Sequence, residues 1–157
     1  MDSNLTIQNA TPIDLDSIKQ LFVNSIRNCC VQDYSTDQIE AWTSSVEQTD
    51  RWEMLMAEQY VIKAVMEHKI VGFASLKEGF YIDFIYVSHL HQNKGVATAL
   101  YQHLKKKSKA NGHAQLTSDV SITACTFFEK KGFKKVKENI NIRSGIELIN
   151  FHMVEIG

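Results

Sequence analysis

The sequence predicts an α/β fold built on a mixed, mostly antiparallel sheet flanked by helices. Three observations carry this expectation. Apolar residues recur at helical spacing in the first third of the chain, three alternating segments joined by tight turns follow, and helix and strand patterns then take turns to the end.

Leu5-Thr6-Ile7-Gln8 alternates and reads as a short first strand. Thr11-Pro12-Ile13-Asp14 is a helix start. Thr11 is the N-cap, Pro12 sits where a missing N–H costs nothing, and Asp14 lies in the positively polarised first turn. Ile18, Leu21, Phe22, Ser25 and Ile26 then share one face. Ser35-Thr36-Asp37 opens a second helix carrying Ile39, Trp42 and Val46, and Asp50 to Gln59 reads as a short helix or turn.

Tyr60 to Glu67 alternates as a strand, His68-Lys69 is a turn, and Ile70 to Leu76 returns. After a turn at Glu78-Gly79, Phe80 to Val87 is apolar or aromatic except for Asp83, Tyr81 and Tyr86 being phenols, as expected of a buried central strand. Ser88 to Lys94 is polar, and Gly95 opens a helix with Val96, Ala99, Leu100, His103 and Leu104 inward that ends at Asn111-Gly112. Ala114 to Val120 is a strand, Ser121 to Lys131 a helix closed by Gly132, and Phe133 to Ile140 and Ile146 to Glu155 are the last strands.

With 157 residues, 44% hydrophobic and 22% charged, the chain is expected to form a single domain over 1–157. One proline and seven glycines leave no linker composition. A formal net charge of -1 argues against a nucleic-acid partner, whose phosphates demand a basic excess. Lys105-Lys106-Lys107 with Lys109 reads as a solvated helix end complementing the dipole. No apolar run suits a bilayer, no signal peptide is visible, and three cysteines, two of them the adjacent Cys29-Cys30, suit a reducing compartment; a cytoplasmic protein without a membrane partner is expected. The six histidines show no metal-ligand spacing, so no metal is expected.

The junction at Phe84 to Leu104 is the most informative stretch. A buried strand ends at Val87, a polar loop follows, and Gly95-Val96-Ala97-Thr98 begins a helix with small side chains. Amides at a helix N-terminus lack intrahelical partners and lie at the positive end of the dipole, which makes an anion seat suited to a pyrophosphate. Neither a Gly-x-x-x-x-Gly-Lys-Ser/Thr loop nor a Gly-x-Gly-x-x-Gly fingerprint is present. The pattern is Gln92-x-x-Gly95-x-Ala97.

Asp83-Phe84-Ile85-Tyr86-Val87 followed by Gln92-x-x-Gly95-x-Ala97-Thr98-Ala99-Leu100 resembles the acetyl-CoA-binding motif of the GNAT N-acetyltransferase superfamily. Ser121-Ile122-Thr123-Ala124 with Phe127-Phe128-Glu129-Lys130-Lys131-Gly132-Phe133 is similar to the later Asn-x-x-Ala and Tyr-Glu-x-x-Gly-Phe elements of that family. The resemblance covers nearly the whole chain. It implies a V-shaped splay between two central strands, one ending at Val87 and the other near Asp119. The pantetheine arm of acetyl-CoA would lie along Ile85, Tyr86 and Val87 like an added strand. The pyrophosphate would rest on Gln92, Asn93, Lys94, Gly95, Val96, Ala97 and Thr98, with Ser121 and Phe128 also at the cofactor.

The implied reaction is direct acetyl transfer to a primary amine of a small molecule or peptide. It needs a base for the amine and an acid for the departing thiolate. Asp83 is the charged residue of an apolar strand, placed by strict alternation on the face of Ile85 and Val87 with Tyr81, and both are candidate catalytic groups. Tyr81 stands where some family members carry a catalytic Glu, and Phe128 where the family often has a proton-donating Tyr. That second substitution motivates the alternative, a non-catalytic acyl-CoA-binding or sensing module. Asp119 is a further carboxylate candidate. The family places its acceptor pocket near the second helix, which assigns Tyr34, Trp42 and Trp52 to acceptor binding. A final strand such as Leu148 to Glu155 could pair in a homodimer.

Overall fold

The computed structural model describes residues 4–156. The first strand, β1 (Thr6–Asn9), leads through a 3-10 turn at Pro12–Asp14 into α1 (Leu15–Cys29). Asp14 accepts the Thr11 amide at 2.9 Å and is also held by Lys63 Nζ at 3.0 Å, so the cap ties the helix start to the neighbouring strand. Helix α2 (Thr36–Thr43) is capped by Ser35, whose hydroxyl accepts from the Gln38 amide at 3.2 Å while Gln38 Oε1 accepts the Ser35 amide at 2.8 Å. The segment expected as helix or turn is α3 (Thr49–Glu58).

Strands β2 (Tyr60–Met66), β3 (Lys69–Lys77) and β4 (Tyr81–Val87) form the expected antiparallel meander. The first turn lies at Glu67-His68, one residue before the predicted His68-Lys69, with both residues at positive φ (51° and 67°). After β4 come α4 (Val96–Ala110), β5 (Thr117–Ser121), α5 (Cys125–Lys130), β6 (Phe133–Arg143) and β7 (Ile146–Glu155). Helix α5 begins four residues later than predicted, because Ser121 closes β5 and its hydroxyl accepts the Ala124 amide at 3.2 Å.

The seven strands form one sheet in the order β1-β2-β3-β4-β5-β7-β6, antiparallel except where β4 meets β5. Strand β7 lies between β5 and β6, with Asn150 to Val154 paired to β5, and the outer edges of the sheet belong to β1 and β6. Two apolar clusters cover the two faces. One packs α4 and α5 through Val96, Leu100, Leu104 and Phe128 against Ile82, Val87 and Met153. The other packs α1 to α3 through Phe22, Ile26, Ile39 and Trp52 against Phe73 and Phe84. At Gly72, a Cβ would stand 2.9 Å from Val96 Cγ1, so the missing side chain lets α4 press onto β3.

On α4 the predicted inward His103 is exposed, and Tyr101 faces in instead. Its hydroxyl and Lys105 Nζ both converge on the buried Glu155 carboxylate, which also accepts the Leu116 amide at 3.2 Å. Burial pushes that carboxyl up, but the bonds from Lys105, Tyr101 and Leu116 together hold it below its ordinary value. Lys107 lies over the Tyr60 ring at 5.0 Å, so two of the four clustered lysines are tertiary anchors rather than solvated ends. Among the described residues no helix is long and apolar enough to cross a membrane.

Candidate active site

Parallel pairing of β4 with β5 is confined to Tyr81↔Thr117 and Ile82↔Ser118. Ser118 Oγ donates to the Ile82 carbonyl at 2.8 Å and closes that contact. Beyond it the strands part, so the rest of β4 faces a gap instead of a neighbouring strand. A cavity of about 600 Å³ runs through the gap. Its walls come from both sheet faces: Ile85, Val87, Ala97 and Phe128 on one side, Tyr34, Trp42, Arg51 and Arg143 on the other.

The loop from Gln92 to Thr98 stands at the first side of this gap. Gly95 has φ +80°, and a Cβ there would meet nothing within 4 Å. The glycine thus answers a left-handed backbone, not a crowded one. Asn93 shares the left-handed region at φ 60°, and Asn93 and Lys94 are exposed. Gly95 caps α4 without a side chain, and the first-turn amides of Val96, Ala97 and Thr98 donate to no acceptor among the described residues. Gln92 Nε2 donates to the Val87 carbonyl at 3.0 Å and to that of Ser88 at 3.2 Å, which pins the loop to the end of β4. The gap edge of β4 and three outward amides fit an extended amide-bearing ligand ending in a phosphate. Phe128 is 1% exposed and packs edge-on against Phe127 and Phe133 at 5.6 and 5.0 Å, a wall of the gap with no proton to give.

Asp83 does not stand on the face of Ile85 and Val87. The β3–β4 register pairs Ser75 with Phe84 and Leu76 with Ile82, leaving Asp83 as the extra residue of a bulge. Ile82 accordingly packs in the same cluster as Val87 and Ile85, while Asp83 turns to α3. There Gln59 Nε2 donates to it at 2.8 Å and Arg51 Nη2 lies 3.9 Å away. This corrects the alternation argument, because one inserted residue reverses the faces.

Tyr81 does reach a carboxylate at the gap. Its hydroxyl donates to Asp119 Oδ2 at 2.5 Å, and burial, then Asp119 itself, push the phenol far above its ordinary range. Asp119 Oδ1 meets Asn139 Nδ2 at 3.0 Å and His152 Nδ1 at 2.9 Å. Partial burial raises the Asp119 carboxyl, but the bonds from Tyr81 and His152 outweigh it and hold it below its ordinary value.

Of the three aromatic residues assigned to the acceptor side, Tyr34 and Trp42 line the cavity, ring against ring at 5.2 Å. Tyr34 donates to the Ile149 carbonyl at 2.6 Å and accepts the Ile122 amide at 3.0 Å, with burial pushing its pKa up to about 12. Trp52 is different. It is 1% exposed, donates its indole N–H to the Ser45 carbonyl at 3.0 Å, and belongs to the apolar core, where the aromatic surface of α3 is needed to cover Phe22 and Phe84.

Sequence reasoning missed Arg51, Asn139, Arg143 and His152. One signal was available: Asn139-Ile140-Asn141-Ile142-Arg143 alternates, and Asn139, Asn141 and Arg143 line the cavity while Ile140 and Ile142 stay exposed.

Residues 30–155 match the family described as acetyltransferase (GNAT) domain. An uncharacterized N-acetyltransferase of Escherichia coli K12, YafP, is 35% identical over 151 residues, spanning 96% of this chain and 95% of that protein. The crystal structure of a GCN5-related N-acetyltransferase from Rhodopseudomonas palustris superposes with a TM-score of 0.94 at 32% identity, covering 99% of this chain and 97% of that one. A PaiA N-acetyltransferase from Thermoplasma acidophilum, solved in complex with coenzyme A, shares the fold with a TM-score of 0.79 at 17% identity, covering 99% of each chain. The chain therefore belongs to the GNAT acetyltransferase family. It is an N-acetyltransferase, as the homologue of the same name and the fully shared fold indicate.

Proposed function

We propose that the protein uses acetyl-CoA to acetylate a primary amine of a small molecule or peptide, and that cofactor and acceptor meet from opposite faces of the sheet. The observation that carries this reading is one cavity passing through the β4–β5 gap, lined by Gln92 and Ala97 of the α4 helix start on one side and by a hydrogen-bonded carboxylate on the other. A coenzyme A complex of the Thermoplasma protein and an acetyl-CoA complex of a phosphinothricin acetyltransferase from Sinorhizobium meliloti, both of similar fold, support the choice of cofactor.

Acetyl-CoA would supply an activated acyl carbon. The chain's own residues would do the rest. The amides of the α4 first turn, with Gln92 to Gly95 leading in, would seat the pyrophosphate. The main chain of Ile85, Tyr86 and Val87 would hydrogen-bond the pantetheine arm, and Ser121, Ala97 and Phe128 would border it.

At the acceptor mouth, Asp119 would receive the amine. A carboxylate held below its ordinary pKa is a weak base towards a free ammonium. The acceptor therefore enters as its neutral amine, its ammonium proton left to solvent, and the carboxylate is adequate for the second proton, because a nitrogen that has begun to bond to carbon is far more acidic. Tyr81, Asn139 and His152 fix the carboxylate for that moment. The new C–N bond forms as the C–S bond breaks, Asp119 takes the nitrogen's proton, and the thiolate leaves without a dedicated acid. Asp83 lines the same cavity with Gln59 and Arg51 beside it and is the second carboxylate candidate for this role.

Coenzyme A release from acetyl-CoA over a panel of amines tests the reading. Turnover with at least one amine is expected, and Asp119→Asn should lower kcat by roughly 10²–10⁴ with cofactor-induced stabilisation retained. Cofactor binding without turnover on any amine would favour the alternative, a non-catalytic acyl-CoA-binding module.

A further inference from the structure

Four charged side chains line the cavity: Arg51, Asp83, Asp119 and Arg143. Three of them have partners. Asp119 is held by Tyr81, Asn139 and His152, and Asp83 by Gln59, with Arg51 3.9 Å off. Arg51 is further steadied over the Phe84 ring at 5.2 Å. Arg143 is half-buried, and among the described residues it makes no hydrogen bond and no ion pair. It is nevertheless close enough to Arg51 for the two like charges to oppose each other, and burial followed by that repulsion pulls its pKa down. Two guanidinium groups facing one cavity, one of them without a counter-charge, cost free energy that a bound anion would recover. A guanidinium also offers paired N–H groups that match a planar carboxylate.

Resting on the acetyltransferase reading above, we infer that Arg143, with Arg51 beside it, binds a carboxylate carried by the acceptor, so that the substrate is an amino acid or related amine-carboxylate and not a simple amine or polyamine. The spacing also bears on the class. Asn139, whose amide holds Asp119, and Arg143 lie on the same face of β6, four residues apart. At 3.3–3.4 Å per residue that is about 13 Å between backbone positions. Side-chain reach shortens the span, so the chain length between the acceptor's amine and its carboxylate is read from the spacing series below. The two asparagines on this face, Asn139 and Asn141, leave room and polarity for the intervening chain.

The test compares glycine, β-alanine, γ-aminobutyrate and ε-aminocaproate, each beside its primary amide, by titration calorimetry and by coenzyme A release. The carboxylate should bind at least ten-fold tighter than the matched amide at the best spacing. Arg143→Gln should bring that ratio to near one, and Arg143→Lys should keep part of it. Because Arg143 has no partner in the fold, the Gln variant should unfold at the wild-type temperature, so a lost preference would report recognition rather than damage. Equal binding of acid and amide at every spacing, or a preference that survives Arg143→Gln, would overturn the inference. Calorimetry needs no turnover. Failure of acetyl transfer on every amine would therefore sink the function proposed above, while the acid-to-amide ratio would still decide this one.

Discussion

The two mouths of the cavity are made in different ways. On the α4 side the groups proposed to bind are main-chain amides and a strand edge supplied by one continuous stretch, Ile85 to Thr98, with Gly95 holding the backbone in its left-handed turn. On the α1–α3 side the groups are side chains brought from separate places: Tyr34, Arg51, Tyr81, Asp119, Asn139 and Arg143. A main-chain site asks little of its side chains beyond smallness. A side-chain site can be rebuilt residue by residue on an unchanged frame, so under the proposed function acceptor choice would fall to this side.

This contrast can be broken by experiment, beginning with the frame of the α4 side. Glu155 is buried and ties α4 to the last strand through Tyr101 and Lys105. Glu155→Ala leaves Lys105 without its counter-charge and should cost roughly 3–5 kcal/mol in denaturant unfolding. The sign of the pH dependence follows from its lowered carboxyl. The stabilisation is complete above the ordinary value of 4.5 and is lost as pH falls through the folded value, so wild-type stability should drop in that range and the Ala variant should drop less. A Glu155→Ala protein that kept its unfolding free energy but lost acceptor binding would contradict this division of labour.

Gly95→Val should act on the α4 mouth alone. Open space around the position removes any clash, so the variant bears only left-handed strain of about 1–2 kcal/mol. The stabilisation of about 2.7 kcal/mol expected from acetyl-CoA at a hundred times its Kd should vanish; a thermal shift equal to wild type would remove the loop from the cofactor site. Tyr34→Phe should sharpen the other side. It leaves the Ile149 carbonyl and Ile122 amide without their shared hydroxyl, for a loss of roughly 1–2 kcal/mol. KM for the acceptor should rise while KM for acetyl-CoA stays within two-fold, about the limit of the measurement. An equal rise in both would show that the faces are not independent.

How much was legible follows the same division. The Thr11 and Ser35 helix starts, the meander and the Gly95 turn were readable because caps, alternation and glycine conformations are local, and each element is where its own residues put it. Asp83 shows the limit. Alternation placed it beside Ile85, but the bulge opposite Ser75 and Leu76 arises from pairing with another strand, and no window along β4 contains it. Trp52 was read as a pocket wall because an aromatic residue on a helix looks the same whether it covers a core or a ligand. The place of the final strand was likewise not local: chain order puts β7 last, whereas the sheet puts it between β5 and β6.

What the sequence by itself determined is the family, the order of elements and the glycine-capped, small-residue start of α4, since these depend on residues within a turn or a strand of one another. The tertiary structure decided that Tyr81 and His152 hold Asp119 at the gap, and that Arg51 and Arg143 line one cavity. Those contacts join residues from 33 to 38 positions apart at Asp119, and the two arginines come from opposite ends of the chain's middle stretch. Only the crossing of β5 beside β4, and of β7 beside β5, brings them within hydrogen-bonding and electrostatic reach.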